Sequence, residues 1–254
     1  MKGSSVEIKA IVIGGYGINA DAELARAFEL AGAVPERVHI ADLVACPERL
    51  AKARILAFPG GFSFGDHLGS GQVLSLLCRR KLRPALERFV ADGGLVLGVC
   101  NGFQALVRMG ILPNRDGSWT REASLIQNER GSFVDGWYPV NFESKSRCVW
   151  TAGLEGRLLP VRHGEGRFVA KDAATLDALE AEGLVAVRYE GEGPNGSERG
   201  IAGICDPSGR LLGLMPHPEA FLSRENHPAR RRAIRDTPGI ELFEKGVAAA
   251  RAAL

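Results

Sequence analysis

The chain has 254 residues, a formal net charge of +2, and 45% hydrophobic against 24% charged residues. That is long enough for one large α/β domain or two small ones, and the balance excludes a disordered or fibrous chain. The charge argues neither for nor against nucleic acid, and no apolar run approaches the roughly 20 residues of a membrane span. Residues 1–5 lead straight into a strand pattern, so no signal peptide is expected. Cysteines 46, 78, 100, 148 and 205 are scattered without a Cys-x-x-Cys pair, which suits a reducing compartment and gives no structural zinc site. The expectation is a cytoplasmic protein with no membrane and no nucleic-acid partner.

In chain order, residues 6–13 read as a first strand and 14–19 as a flexible loop. Residues 21–31 form a helix, apolar at Leu24, Ala27, Phe28 and Ala31 and stopped by Gly32. A short strand at 37–40 and a third at 54–58 follow. The third runs into Pro59-Gly-Gly-Phe-Ser-Phe-Gly-Asp66, where Gly60 and Gly61 would let backbone N–H groups approach a ligand. Helices are expected at 70–79 and 84–91, then a buried strand at 95–99 and a helix at 101–109. This βαβαβ order predicts an α/β fold with a parallel sheet and helices on its faces. In such sheets ligands gather at the carboxyl ends of strands.

Past residue 113 the pattern becomes strand-rich, with strands expected at 124–128, 138–142, 148–150 and 159–162. A helix at 172–181, a strand at 184–189 and an exposed loop at 190–199 follow. Residues 201–205 and 211–215 read as a hairpin. Arg230, Arg231, Arg232 and Arg235 make a basic stretch, and Thr237-Pro238 can cap a last helix to about residue 253. No linker or repeat interrupts the chain, so residues 1–254 read as one domain.

Cys100 sits where strand turns sharply into helix, with Gly98 and Gly102 two residues to either side. Gly-x-nucleophile-x-Gly is the nucleophile-elbow pattern, here with Cys for Ser. A sulfur at a helix N-terminus is favoured as thiolate, and the Asn101 N–H would point to where an oxyanion forms. A thiol nucleophile needs a base and an orienting group. His217 follows an apolar strand, and Glu219 lies two residues on, on the same side if the backbone is extended. His163, with Glu165 at the same spacing in a glycine-flanked loop, is the rival base. His67 is a weaker one, and His39 and His227 are read as structural or exposed.

These segments together resemble the class I glutamine amidotransferases, the triad glutaminases. The matching stretches are Phe58-Pro-Gly-Gly-Phe-Ser-Phe-Gly-Asp66, Gly98-Val-Cys-Asn-Gly-Phe-Gln104, His163-Gly-Glu-Gly166, Asn195-Gly-Ser197 with Ile201-Ala-Gly203, and Gly213-Leu-Met-Pro-His-Pro-Glu219. Within that family they are most similar to the glutaminase subunits of phosphoribosylformylglycinamidine synthases, enzymes of purine biosynthesis. The resemblance implies a flavodoxin-like fold around a mixed, mostly parallel sheet. It implies that Cys100 attacks the amide of L-glutamine, that His217 moves the protons and that Glu219 orients His217. It implies an oxyanion hole from the N–H groups of Gly61 and Asn101, and glutamine contacts from Gly60, Gln104, His163, Gly164 and Glu165. No phosphate loop is present, so no metal or cofactor is expected in this chain. ATP and magnesium would belong to a large synthetase subunit that uses the ammonia, and a small accessory subunit is a further expected partner. Service to another synthetase, or a silent scaffold role, are the alternatives. Three departures stand out: Gly14-Gly-Tyr-Gly-Ile-Asn-Ala-Asp21 replaces the family's usual first loop, Phe64 stands for Tyr, and Ala220 stands where Arg often follows the Glu.

Overall fold

The structure is a computed structural model that describes residues 7–228 and 239–253. The expected strand start at Val6, the arginines at 230, 231, 232 and 235, and the Thr237-Pro238 cap lie outside those residues.

The first half alternates as its pattern predicts. Strand β1 (Lys9–Gly14) is buried after its first residue, as a central strand must be. Helix α1 (Asp21–Leu30) buries Leu24, Ala27 and Phe28, the stripe its spacing foretells, and carries Asp21 and Glu23 in its first turn, where the helix dipole favours acids. Strand β2 (Val34–His39) passes directly into a short helix, α2 (Ile40–Ala45), which is capped by the His39 ring accepting from Ala41 N–H. Then come β3 (Ile55–Phe58), α3 (Gln72–Lys81), α4 (Arg83–Ala91), β4 (Leu95–Val99) and α5 (Asn101–Met109).

The second half holds β5 (Ala123–Gln127), β6 (Val134–Phe142), β7 (Arg157–His163), β8 (Glu165–Ala170), α6 (Ala173–Ala181), β9 (Val185–Tyr189), β10 (Ile201–Cys205), β11 (Leu211–Leu214) and α7 (Ile240–Ala252). Nine strands form one sheet in the order β2-β1-β3-β4-β11-β10-β9-β6-β7, and β5 pairs with β8 in a separate two-stranded sheet. From β2 to β11 neighbours run parallel; from β11 onward they alternate. Only β10 and β6 therefore oppose the common direction. The carboxyl ends of β3, β4, β11 and β7 all point to one end of the sheet.

One feature of register brings β7 to the others. Strand β6 pairs with β9 only over residues 140–142, but with β7 over 134–140. The β6–β7 ribbon thus projects past the sheet and is free to curl back. Its Pro160 carbonyl accepts from the His217 N–H at 2.8 Å, which ties it to the end of β11.

Three expectations change. Residues 148–150 are a turn and not a strand: Trp150 is fully buried there, and its indole N–H donates to the Arg210 carbonyl at 2.8 Å. Side-chain burial outweighed the strand-like composition. The loop 190–199 is exposed at its two ends but not in its middle, where Asn195 is buried and donates to the Gly166 carbonyl at 2.8 Å. The His163–Glu165 stretch is not a free loop but the joint between β7 and β8.

Candidate active site

Strand β4 ends at Val99 and α5 begins at Asn101, so Cys100 alone makes the turn. Its backbone sits at φ 50° and ψ −107°, a conformation a side-chain-bearing residue holds only under constraint. The constraint is a pair of hydrogen bonds, Cys100 N–H to Leu214 O at 2.8 Å and Gln104 N–H to Cys100 O at 3.0 Å. Both flanking glycines are spatial necessities. A Cβ on Gly102 would overlap the Phe58 carbonyl at the end of β3. One on Gly98 would stand 2.9 Å from the Gly102 carbonyl carbon.

His217 follows β11 and is buried together with Glu219. Its Nδ1 and Glu219 Oε1 are 2.6 Å apart. The backbone does not reach this by extended alternation: Pro218–Ala220 is a single 3-10 turn that folds the carboxylate back onto the ring. Burial opposes a charge on His217, but Glu219 and the Cys100 thiolate outweigh it and push the imidazole up to about 10. A Cβ built on Gly60 would lie 2.9 Å from His217 Cε1 and 3.5 Å from Cys100 Cβ, so the absent side chain of Gly60 leaves thiol and imidazole side by side. His217 Nε2 is buried without a hydrogen-bond partner among the described residues. Catalytic hydrogen bonds commonly tighten only around substrate.

His163 stands differently. Its Nδ1 faces Asn128 Oδ1 at 3.0 Å, and Asn128 Nδ2 donates to the His163 carbonyl at 2.8 Å. Burial, with the charge of His217, holds its ring down to about 4, so it is neutral at pH 7. Glu165 does not orient it: that carboxylate accepts from the Ser70 N–H at 3.3 Å and faces Arg108 at 3.9 Å. Without a carboxylate partner and with its basicity lowered, His163 is the poorer base, and it lines the cavity.

The altered first loop works through its main chain. Phe62 N–H donates to Gly17 O at 2.8 Å, Phe64 N–H to Tyr16 O at 2.6 Å, and Asn19 N–H to Gly60 O at 3.3 Å. These bonds bracket Gly61, whose φ of 140° suits glycine and whose own N–H takes no part in them. The support is main-chain, but it requires Gly17, where a Cβ would overlap the Phe62 carbonyl. The Asn101 side chain accepts from Ser63 N–H at 3.2 Å and donates to Asp66 at 3.1 Å and to Gln104 Oε1 at 3.1 Å. Gln104 in turn donates to the Glu165 carbonyl. Asn101 and Gln104 thus join the β3 loop, the elbow helix and the start of β8 into one frame.

A cavity of about 110 Å³ lies at this junction, lined by Cys100, His217, His163, Glu165, Gln104 and Gly61 among others. It is far below the roughly 300–1,000 Å³ of sites for larger ligands, so the substrate group it takes is small. A larger cavity of about 700 Å³ near Arg54, Arg88 and Asp92 offers no Cys, Ser, Thr or His to do chemistry. Six lining residues were not among the predicted site residues: Asn19, Phe62, Asp66, Ser70, Phe133 and Arg162. Asp66 was legible as the end of the glycine-rich motif, and burial raises its carboxyl above the usual range. Arg162 and Phe133 carried no local signal.

Comparison with known proteins agrees with this geometry. Residues 7–248 match the model of the CobB/CobQ-like glutamine amidotransferase domain. A phosphoribosylformylglycinamidine synthase subunit PurQ from Dehalococcoides mccartyi is 42% identical, covering 87% of this chain and 89% of its own length. One from Treponema denticola is 38% identical, covering 94% and 97%. A chain in the structure of PurLQS from Thermotoga maritima superposes with a TM-score of 0.74 at 29% identity, covering 96% of this chain and 99% of that one. With a family model that spans nearly all of its length, the chain belongs to the glutamine amidotransferase family.

Proposed function

We propose that this chain is the glutaminase subunit of a phosphoribosylformylglycinamidine synthase, hydrolysing L-glutamine and passing the ammonia to a synthetase subunit. The observation that carries the chemistry is the strained Cys100 beside a buried His217–Glu219 pair at a small cavity. The curated relatives and the PurLQS likeness support the assignment of the acceptor.

The Cys100 thiolate attacks the side-chain amide carbon of glutamine. The carbonyl oxygen becomes an oxyanion facing the Gly61 and Asn101 N–H groups. His217, as imidazolium, gives its proton to the leaving nitrogen, and ammonia departs from the thioester. His217 then takes a proton from water, hydroxide opens the thioester, and glutamate leaves with the thiolate–imidazolium pair restored. Glu219 holds the Nδ1–H tautomer so that Nε2 faces the reaction. The chain acts as one glutaminase domain and carries no cofactor or metal of its own; ATP and magnesium serve the synthetase subunit, where the ammonia amidates formylglycinamide ribonucleotide. A small accessory subunit completes the assembly, and the site of action is the cytoplasm. No helix of the described residues is long and apolar enough to cross a membrane.

The test is labelling by a diazo-ketone analogue of glutamine, with peptide mapping, in the presence and absence of the synthetase. A label on Cys100 that forms faster with the synthetase supports the reading. No label in either condition returns the scaffold alternative.

A further inference from the structure

We infer that Arg162 is a positioning residue of the triad, its guanidinium held by Glu23 so as to balance the buried carboxylate of Glu219. Glu219 is 2% exposed, and its Oε1 already serves His217 while its Oε2 has no hydrogen-bond partner among the described residues. A buried carboxylate without compensating charge is costly. Ala220, next in the chain, brings no charge. The compensation comes from β7: Arg162 Nη2 stands 3.9 Å from Glu219 Oε1 and 2.7 Å from Glu23 Oε2 on α1. Helix α1 packs against the Pro218–Ala220 turn, so this acid lies where the guanidinium must be anchored.

The same residue reaches the nucleophile. The Arg162 carbonyl is 3.8 Å from Cys100 Sγ, and burial, Glu23, Glu219 and the Cys100 thiolate all act on its guanidinium, the acids raising it. Thiolate, imidazolium and carboxylate together carry one net negative charge, which the part-exposed Arg162, shared with Glu23, offsets in part. The other charged or titratable groups around it are His217, the neutral His163 next in β7, and Asp135, which stands opposite in the β6 register without an ion pair to it. Removing the guanidinium leaves the thiolate less stabilised and moves its formation to higher pH.

This inference rests on the triad for the reaction it serves, but its test reads Cys100 alone. Alkylation of the full chain by iodoacetamide is followed against pH, with peptide mapping to separate Cys100 from the partly exposed Cys46. Arg162→Gln moves the acid limb of the Cys100 profile up by about half a pH unit, the size expected of one partly exposed charge at this range. Arg162→Lys restores most of it. Coincident limbs for Arg162→Gln and the unchanged protein overturn the inference and leave Arg162 as a strut between β7 and α1. Failure of glutamine hydrolysis with the limb shifts intact would instead strike the proposed function.

Discussion

At the scale of single residues, the site is a set of charges whose balance depends on burial. The His217 imidazole is raised from 6.5 to about 10, with its ring and Glu219 both enclosed. A raised histidine stabilises the fold fully below its unfolded value, and that contribution fades as pH climbs through the folded one. Melting curves of the protein and of His217→Gln should therefore differ most near pH 6 and converge toward pH 10; a difference independent of pH would reject the linkage. Glu219→Gln keeps the shape of the carboxylate but can no longer accept the Nδ1 proton while holding a charge near the imidazolium. Glutamine turnover in the assembled complex should fall about 10²–10⁴-fold, with KM little changed. Steady-state kinetics separates that result from a binding defect, which would raise KM instead.

At the scale of elements, the elbow is a packing problem solved by glycine. The first turn of α5 lies so close to the end of β3 that a methyl group on Gly102 meets the Phe58 carbonyl. Gly102→Ala should lower stability by roughly 1–3 kcal/mol through overpacking and displace Cys100 as well. Denaturant unfolding together with the diazo-ketone labelling rate checks both halves of that statement; a stable and fully reactive variant would show that the turn can yield. The start of β8 depends on a different device. Asn195 donates to the Gly166 carbonyl at 2.8 Å, and Asn195 Oδ1 accepts from Ser197 Oγ at 2.8 Å and Ser197 N–H at 3.1 Å. Ser197 Oγ in turn accepts from the Phe168 N–H at 2.9 Å. Asn195→Ala should lower stability by about 1–3 kcal/mol by orphaning buried groups, and loosen Glu165 enough to raise KM for glutamine. Unchanged KM with lowered stability would confine Asn195 to a structural role.

At the scale of the molecule, the mouth of the site carries exposed aromatic side chains. Phe62 and Phe133 both line the cavity and are about half exposed, at 49% and 54%. Exposed aromatic rims of this kind suit a docked partner and the exclusion of water from passing ammonia. Replacing both by Asp should weaken binding to the synthetase about tenfold or more, measured by titration calorimetry, while iodoacetamide still reaches Cys100 in the isolated chain. Equal affinity would move the interface elsewhere.

What was legible without coordinates was local. The Gly98-x-Cys100-x-Gly102 spacing announces a strand-to-helix turn because only glycine fits that close approach. His217 and Glu219 are two residues apart, so any compact turn can join them; the 3-10 turn, in place of an extended strand, changes the route and not the meeting. The parallel order of the first five elements followed from alternating periods of two and 3.6 residues. The choice between His217 and His163 was not local, because it turns on which ring meets a buried carboxylate and which meets an amide, and Asn128 lies 35 positions from His163. Arg162 was invisible for the same reason, since it joins acids 139 and 57 residues away in the chain. By itself the sequence determined the elbow with its candidate nucleophile and the family of the fold, through sterics and motifs within a few residues. Only the tertiary structure decided which histidine meets a buried carboxylate, how the altered first loop supports Gly61, and which arginine stands beside that carboxylate, because burial and charge pairing depend on strands that the β6–β7 ribbon brings together.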